Sequence, residues 1–141
     1  MLYFAYGSNL NHDQMHRRCG DSEYIKNFIL EGYKLSFCAV SGNYGVANII
    51  KKSGSKVPGG IWEISEIDEK ELDRYEGYPT LYTKDYFKLN NEQVLFYIIK
   101  RDYVFKRPAR EYVDIIHQGY KDCDLDSEYL KRRLTHYSIE L

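Results

Sequence analysis

The sequence predicts an α+β fold, and three observations carry that reading. Short apolar runs of strand character are grouped in the first two thirds of the 141-residue chain. After Arg101 the pattern changes to a helical period and keeps it. Strands gathered in runs, rather than alternating one for one with helices, argue against a doubly wound sheet. The length suits one domain over residues 1–141, and no linker, internal repeat or low-complexity tract divides it.

Each element has its own local cause. Leu2 to Tyr6 predicts a short buried strand, ended by the turn residues Gly7-Ser8-Asn9. Asn11 is placed to cap a helix over His12 to Arg18. Tyr24 to Val40 is strand-like with a break at Gly32, and Ser41 to Gly45 forms a loop. Val46 to Ile50 and Val57 to Ile64 predict two further strands, separated by a polar turn at Lys51 to Lys56. Asp68 stands three residues before Glu71, the spacing of a capping box. It predicts a helix from Glu69 to Tyr75 with Leu72 and Tyr75 on one face, stopped by Gly77 and Pro79. Tyr82 to Leu89 and Gln93 to Ile99 read as strands joined by a hairpin turn at Asn90-Asn91. Pro108 suits the first turn of a helix carrying Tyr112, Ile115, Ile116 and Gly119. Asp126 caps a last helix carrying Tyr129, Leu130 and Leu134.

Charge and cysteine usage narrow the function classes. The formal net charge is −1 and both signs are mixed along the chain, so no basic stripe suggests a nucleic-acid partner. No apolar run approaches the length of a membrane span, and Met1 to Tyr6 is too short, and lacks the basic start, for a signal peptide. Cys19, Cys38 and Cys123 are odd in number and form no CxxC pair, which predicts free thiols and a reducing, cytoplasmic setting. Tyrosine is abundant at 15 residues; its ring packs while its hydroxyl stays polar, so most serve packing and a minority suit the walls of a polar site.

Two segments can carry chemistry. In Tyr6-Gly7-Ser8-Asn9-Leu10, a strand ending in a Gly-Ser-Asn turn ahead of a helix points successive backbone N–H groups into one concavity. Such a nest binds carboxylates and other anions. Gly7 permits a positive φ or a close backbone approach, and Ser8 and Asn9 add side-chain hydrogen bonds. An ordinary strand-to-helix turn has the same residues. Glu76 falls at the C-terminal end of its predicted helix, where the macrodipole disfavours a carboxylate, and burial between Tyr75 and Tyr78 would disfavour it further. Both effects raise its pKa towards the range useful for moving protons. A solvated glutamate at a frayed helix end reads identically.

Other signals are weaker. His12, His16 and Cys19 have helical spacing for a metal but no complementary ligands, so no metal site is assigned. Cys38 reads as a buried structural thiol. Gly42-Asn43-Tyr44-Gly45 reads as either a substrate loop or a plain hairpin connection. Lys51, Lys52 and Lys56 read as a solvated tip, and Lys131-Arg132-Arg133 as the exposed face of the last helix.

Taken together, these segments resemble the γ-glutamylcyclotransferase-like (AIG2-like) family. Tyr6-Gly7-Ser8-Asn9-Leu10 after an N-terminal strand matches its YGSNL segment, and Leu72-Asp73-Arg74-Tyr75-Glu76-Gly77 its LDxxEG segment. Gly45-Val46-Ala47-Asn48-Ile49 and Val57-Pro58-Gly59-Gly60-Ile61-Trp62-Glu63-Ile64 are similar to its central strands. Pro108-Ala109-Arg110-Glu111-Tyr112 is similar to its PSxxY helix, with Ala109 in place of the usual serine. The resemblance implies a small mixed β-barrel flanked by helices, and a cofactor-free intramolecular aminolysis that releases 5-oxoproline and a free amine, amino acid or peptide. It implies Glu76 as catalytic acid and base, and Tyr6, Gly7, Ser8, Asn9, Leu10 and Tyr112 as the residues that hold a small-molecule γ-glutamyl substrate. Removal of a γ-glutamyl protecting group from a biosynthetic intermediate would use the same chemistry. A non-catalytic binding module of the same fold is a further reading.

Overall fold

The computed structural model describes residues 1–141. In chain order the elements are β1 (Leu2–Ala5), a 3-10 turn (Ser8–Leu10), α1 (His12–Arg18), β2 (Glu23–Ala39), β3 (Val46–Glu63), α2 (Glu66–Glu76), β4 (Thr83–Leu89), β5 (Glu92–Ile98), β6 (Val104–Phe105), α3 (Arg110–Asp122) and α4 (Ser127–Thr135). The strands form one sheet in the order β4-β5-β1-β3-β2-β6, curled into a half-barrel. Only the β1–β5 pair is parallel, so the sheet is mixed as the resemblance implied. β1 has a neighbour on both sides, which explains why it reads as a continuous apolar run.

Two boundaries differ instructively from expectation. β2 and β3 are 17 and 18 residues long, without the expected turn at Lys51 to Lys56. Glu31 opposes Lys56 whereas Tyr33 opposes Lys51, so Lys52 to Ser55 of β3 stand opposite the single residue Gly32. Gly32 takes φ +84°, which an L side chain rarely adopts, and the ladder bends there. The apolar signal lapses because this stretch turns outward to solvent, while the strand itself continues.

The helix starts also move. α2 begins at Glu66, three residues early, because Ser65 is its cap: Ser65 Oγ accepts from Asp68 N and Asp68 Oδ2 accepts from Ser65 N, each at 3.1 Å. Asp68 is the reciprocal partner in that capping box, and Glu71 has no part in it. α3 begins at Arg110 instead of Pro108, since the preceding residues serve the sheet. Val104 and Phe105 pair with Ala39 and Cys38, and Pro108 bridges to Gly45. β6 was not expected; its two residues are exposed on the sheet edge and carry no apolar pattern. Ala109 caps α3 without a side-chain hydrogen bond, consistent with the missing serine. Asn90 and Asn91 both adopt positive φ, 51° and 67°, the pair of a tight β4–β5 hairpin.

A single cluster of 32 buried apolar residues fills the interior, with Trp62, Tyr120, Phe4, Phe37 and Phe96 among its largest members. α3 is keyed to the 3-10 turn. A Cβ at Gly119 would lie 2.6 Å from Leu10 Cβ and from Asn11 N, so only glycine lets the two elements approach this closely. Asn11 Nδ2 then donates to Ile115 O at 3.2 Å. This contact fixes where Tyr112, two turns earlier on α3, meets the sheet. No helix is long and apolar enough to cross a membrane.

Candidate active site

β1 ends at Ala5 and delivers Tyr6 to Asn9 to the wall of a cavity of about 220 Å³. Gly7 has φ −120°, so its role is the close approach and not a left-handed turn. A Cβ there would lie 2.9 Å from Ala47 Cβ on β3. The turn closes through Leu10 N to Gly7 O at 3.1 Å and Asn11 N to Ser8 O at 3.0 Å. The amides of Gly7, Ser8 and Asn9 precede those bonds and have no partner within the turn.

Asn9 is the internal brace of the site and is only 3% exposed. Its Oδ1 accepts from Gln14 Nε2 and Arg18 Nη1, both at 3.1 Å. Its Nδ2 donates to Tyr3 Oη at 3.0 Å and reaches Glu76 Oε1 at 3.5 Å, the long end of a hydrogen bond. Gln14 Nε2 also donates to Ser8 Oγ at 2.8 Å. Leu10, expected to hold substrate, does not reach the cavity: it is fully buried in the core, beneath Gly119, and its N–H is spent on Gly7. It anchors the turn.

Glu76 is the last residue of α2, ahead of Gly77, whose φ of +63° closes the helix. Its carboxylate faces the cavity, half-buried, and burial pushes its pKa up to about 7, with the Arg18 guanidinium acting in the opposite direction. The burial does not come from Tyr75 and Tyr78 as expected, since both are exposed. Tyr3, Tyr6, Tyr82, Tyr97 and Tyr112 surround it instead. Arg18 lies on the rim with its guanidinium 4.3 Å from the centre of the Tyr75 ring. Arg18 and Glu76 are the only Lys, Arg, Asp or Glu side chains on the wall.

The tyrosine hydroxyls divide into two groups. Tyr6 Oη donates to Tyr97 O at 2.7 Å, Tyr82 Oη to Ala47 O, and Tyr97 Oη to Asp73 Oδ1 at 2.6 Å. Their protons are committed to the scaffold. Tyr112 Oη instead accepts from Ala47 N at 2.9 Å, and Tyr3 Oη accepts from Asn9, so each keeps its own proton for another acceptor. Burial raises the Tyr112 pKa, the Ala47 N–H opposes this, and the nearby Glu76 charge raises it further. No hydrogen bond joins Tyr112 directly to Glu76. Asp73, one turn before Glu76, also pairs with Lys84 at 3.0 Å, and Lys84 meets Glu69 at 2.8 Å. These contacts lock α2 against β4 and β5.

Of the expected residues, the fold therefore brings Tyr6, Gly7, Ser8, Asn9, Glu76 and Tyr112 to one cavity and leaves Leu10 beneath it. Arg18, Tyr3, Tyr82 and Tyr97 were not singled out from the sequence; the excess of tyrosine was the only trace of the three tyrosines, and Arg18 left none. Gly42 to Tyr44 are exposed and Gly45 is buried against Lys106, so the stretch is a hairpin connection, and only the following Val46 and Ala47 reach the site. His12 and His16 stand with ring centres 6.2 Å apart, and both pack edge-on against Trp62. Cys38 is a buried free thiol whose pKa burial pushes up to about 11, which leaves little thiolate at neutral pH.

Comparison with known proteins gives a consistent result. The family described as gamma-glutamyl cyclotransferase, AIG2-like, matches residues 3–121. The gamma-glutamylcyclotransferases of Homo sapiens and Mus musculus are each 28% identical over 142 aligned positions, covering 93% of this chain and 76% of theirs. A solved gamma-glutamyl cyclotransferase structure superposes with a TM-score of 0.82 at 26% identity, over 94% of this chain and 85% of its own. The chain belongs to the gamma-glutamyl cyclotransferase, AIG2-like family.

Proposed function

We propose that this protein, acting as a single domain, is a γ-glutamylcyclotransferase that closes a γ-glutamyl group into 5-oxoproline and releases the attached amine, amino acid or peptide. The observation that carries the proposal is the Glu76 carboxylate, held near neutrality in a cavity between unpartnered turn amides and the Tyr112 hydroxyl. A γ-glutamyl group brings an α-ammonium, an α-carboxylate and a side-chain amide carbonyl. The cavity answers with one carboxylate, one guanidinium and a set of N–H donors. Its volume of about 220 Å³ is below the ~300–1,000 Å³ of sites for drug-sized ligands and suits an amino-acid-sized group.

The steps follow from these groups. Glu76 takes a proton from the α-ammonium, and the freed amine attacks its own side-chain carbonyl, forming the ring C–N bond. The negative charge that develops on the carbonyl oxygen is met by the amides of Gly7, Ser8 and Asn9, with the Tyr112 O–H as a further donor. Such donors contribute about 3–4 kcal/mol each in other acyl-transfer sites. As the tetrahedral intermediate collapses, the original C–N bond breaks and Glu76 gives its proton to the leaving nitrogen; the carboxylate then takes the second proton of the ring nitrogen and passes it to the departing amine, which leaves as an ammonium. A carboxyl with a pKa of about 7 does both tasks, since neither form is strongly disfavoured at neutral pH. Nucleophile and electrophile belong to one molecule, so holding the reactive rotamer captures part of the roughly 7–11 kcal/mol that orientation can supply. Arg18 supplies the positive potential for the α-carboxylate.

The direct test is release of 5-oxoproline from a panel of γ-glutamyl amines, γ-glutamyl amino acids and glutathione. Turnover of at least one class, abolished in Glu76→Gln, is expected. Tight binding of a panel member without turnover would instead mark a binding module.

A further inference from the structure

A second cavity, of about 280 Å³, lies between β2, β6 and the end of α4 and shares no residue with the first. Its wall carries Lys34, Arg133 and His136, with Ser36 and Tyr137 between them and Phe105 at one side. No carboxylate lines it. The side-chain ion pairs of the molecule lie elsewhere: Arg74 with Glu71, Lys84 with Glu69 and Asp73, Lys100 with Asp85, Arg110 with Asp114 and Lys131 with Glu128. Neither Lys34 nor Arg133 has a carboxylate partner.

Arg133 and Tyr137 are held in place by the fold. Arg133 is not on the exposed face expected for the Lys131-Arg132-Arg133 run; it is half-buried, and its Nε donates to Leu35 O at 2.9 Å. That bond fixes the guanidinium and leaves its terminal nitrogens free. Tyr137 Oη accepts from Phe37 N at 2.8 Å, so its own proton is unspent. Ser36, 1% exposed, has only a long contact of 3.4 Å to Asn48 O. Lys34 makes no side-chain hydrogen bond, and the charges acting on it are those of Arg133 and Lys52, which lower its pKa. Two cations, of which Arg133 is fixed by its bond to Leu35 O, thus stand together without an internal counterion, in a recess whose remaining polar side chains can also donate.

We infer that this recess is an anion site for a phosphate group, bound between Lys34 and Arg133 with the Tyr137 and Ser36 hydroxyls as further donors. Two permanent positive charges match a dianion, and several donors around one point match tetrahedral oxygens better than a planar carboxylate. Free phosphate and a phosphate monoester share this chemistry. Phe105, 60% exposed at the side of the recess, offers a flat apolar surface only to an ester with an aromatic substituent.

The test is a titration of the full chain with inorganic phosphate and, separately, with phenyl phosphate, followed by amide chemical shifts and calorimetry at fixed ionic strength. Saturable binding is expected, with shifts at Leu35 to Phe37 and at Arg133 to Tyr137. Lys34→Gln should weaken it by about tenfold; Lys34 is partly exposed and free of hydrogen bonds, so this variant keeps its fold. Arg133→Lys keeps the charge but loses the bond to Leu35 O, and should weaken binding less than Arg133→Gln. Lys131→Gln, on the same helix but outside the recess, should bind as the parent does. Phe105→Ala should reduce affinity for phenyl phosphate alone if an ester is the natural occupant, and for neither ligand if free phosphate is. Absence of saturable shifts at these residues, or an equal loss in Lys131→Gln, would overturn the inference.

Discussion

Replacing Glu76 by glutamine should make this protein inactive and, above neutral pH, more stable. In the folded chain the carboxyl titrates at about 7 against an ordinary 4.5, chiefly because burial penalises its charge. At 1.36 kcal/mol per pH unit that difference is about 3 kcal/mol, and partial exposure at the cavity reduces it to about 1–3 kcal/mol. The sign follows from proton counts. Between about pH 4.5 and 7 the folded state holds a proton that the unfolded chain has already lost, so stability falls as pH rises through this window. Below it, both states are protonated and the penalty vanishes. Glutamine is neutral throughout. Denaturant unfolding of the parent and of Glu76→Gln should therefore show little difference near pH 4 and a gain of about 1–3 kcal/mol for the variant at pH 8. Over the same range, 5-oxoproline release by the parent should rise through a midpoint near 7, as the basic form accumulates. The variant should be slower by about 10²- to 10⁴-fold and lack that midpoint. Retained turnover would remove Glu76 from the proton path. A stability gain equal at both pH values would show that its pKa is not raised by folding.

Three further changes test the supporting residues. Arg18→Gln removes the cation that holds the Glu76 pKa down, so the rising limb of kcat/KM should move to higher pH, and activity at pH 6 should fall more than at pH 8; an unmoved limb would exclude that coupling. Tyr112→Phe leaves the buried Ala47 N–H without an acceptor and removes a donor from the cavity. Thermal unfolding should show a loss of about 1–3 kcal/mol, and kcat should fall by about tenfold or more with a smaller change in KM. Gly7→Ala places a methyl 2.9 Å from Ala47 Cβ and should cost about 1–3 kcal/mol and most of the activity. Ala47→Gly in the same chain should restore part of both, which a purely local effect at Gly7 would not allow.

What the sequence revealed and what it concealed separate along physical lines. Features set by local chemistry were legible. Asn11 caps α1 by accepting from Gln14 N, Gly77 stops α2 in a left-handed conformation, and Asn90-Asn91 turns the β4–β5 hairpin. Features set by where a segment meets another were not. Lys51 to Lys56 looks like a turn because it is polar, yet Lys51 and Lys56 pair with Tyr33 and Glu31 on either side of a bulge, which keeps the stretch in β3. Val104-Phe105 becomes a strand only because the edge of β2 is open to it. The candidate site divides in the same way. Its two motifs, Tyr6 to Asn9 and Glu76, were visible as short strings with resident chemistry. Leu10, inside one of those strings, turned out to face the core, since a motif does not reveal which of its residues points inward. Arg18 and Tyr82 stand outside every string and become part of the site only when α1 and the segment after α2 fold back on it.

The meeting point of these segments is Ala47, a residue with almost no chemistry of its own. Its Cβ is what bars a side chain at Gly7, its N–H holds the Tyr112 hydroxyl, and its carbonyl takes the Tyr82 proton. One peptide neighbourhood on β3 thus sets the distances among the turn, the α3 tyrosine and the tyrosine that follows α2. Tyr82 N in turn bonds to Glu76 O at 3.4 Å, which connects the same hub to Glu76. A reaction that forms a ring from groups already joined needs little binding energy to bring reactants together, and much precision in holding one rotamer. At Ala47 the β3 backbone is fixed by the β2 ladder on one side, opposite Phe37, while its N–H and C=O bond the two hydroxyls, a precision that a site built on loops does not have. The rigidity of the strand, transmitted through two hydroxyls and one missing side chain, is the contribution of this fold to catalysis.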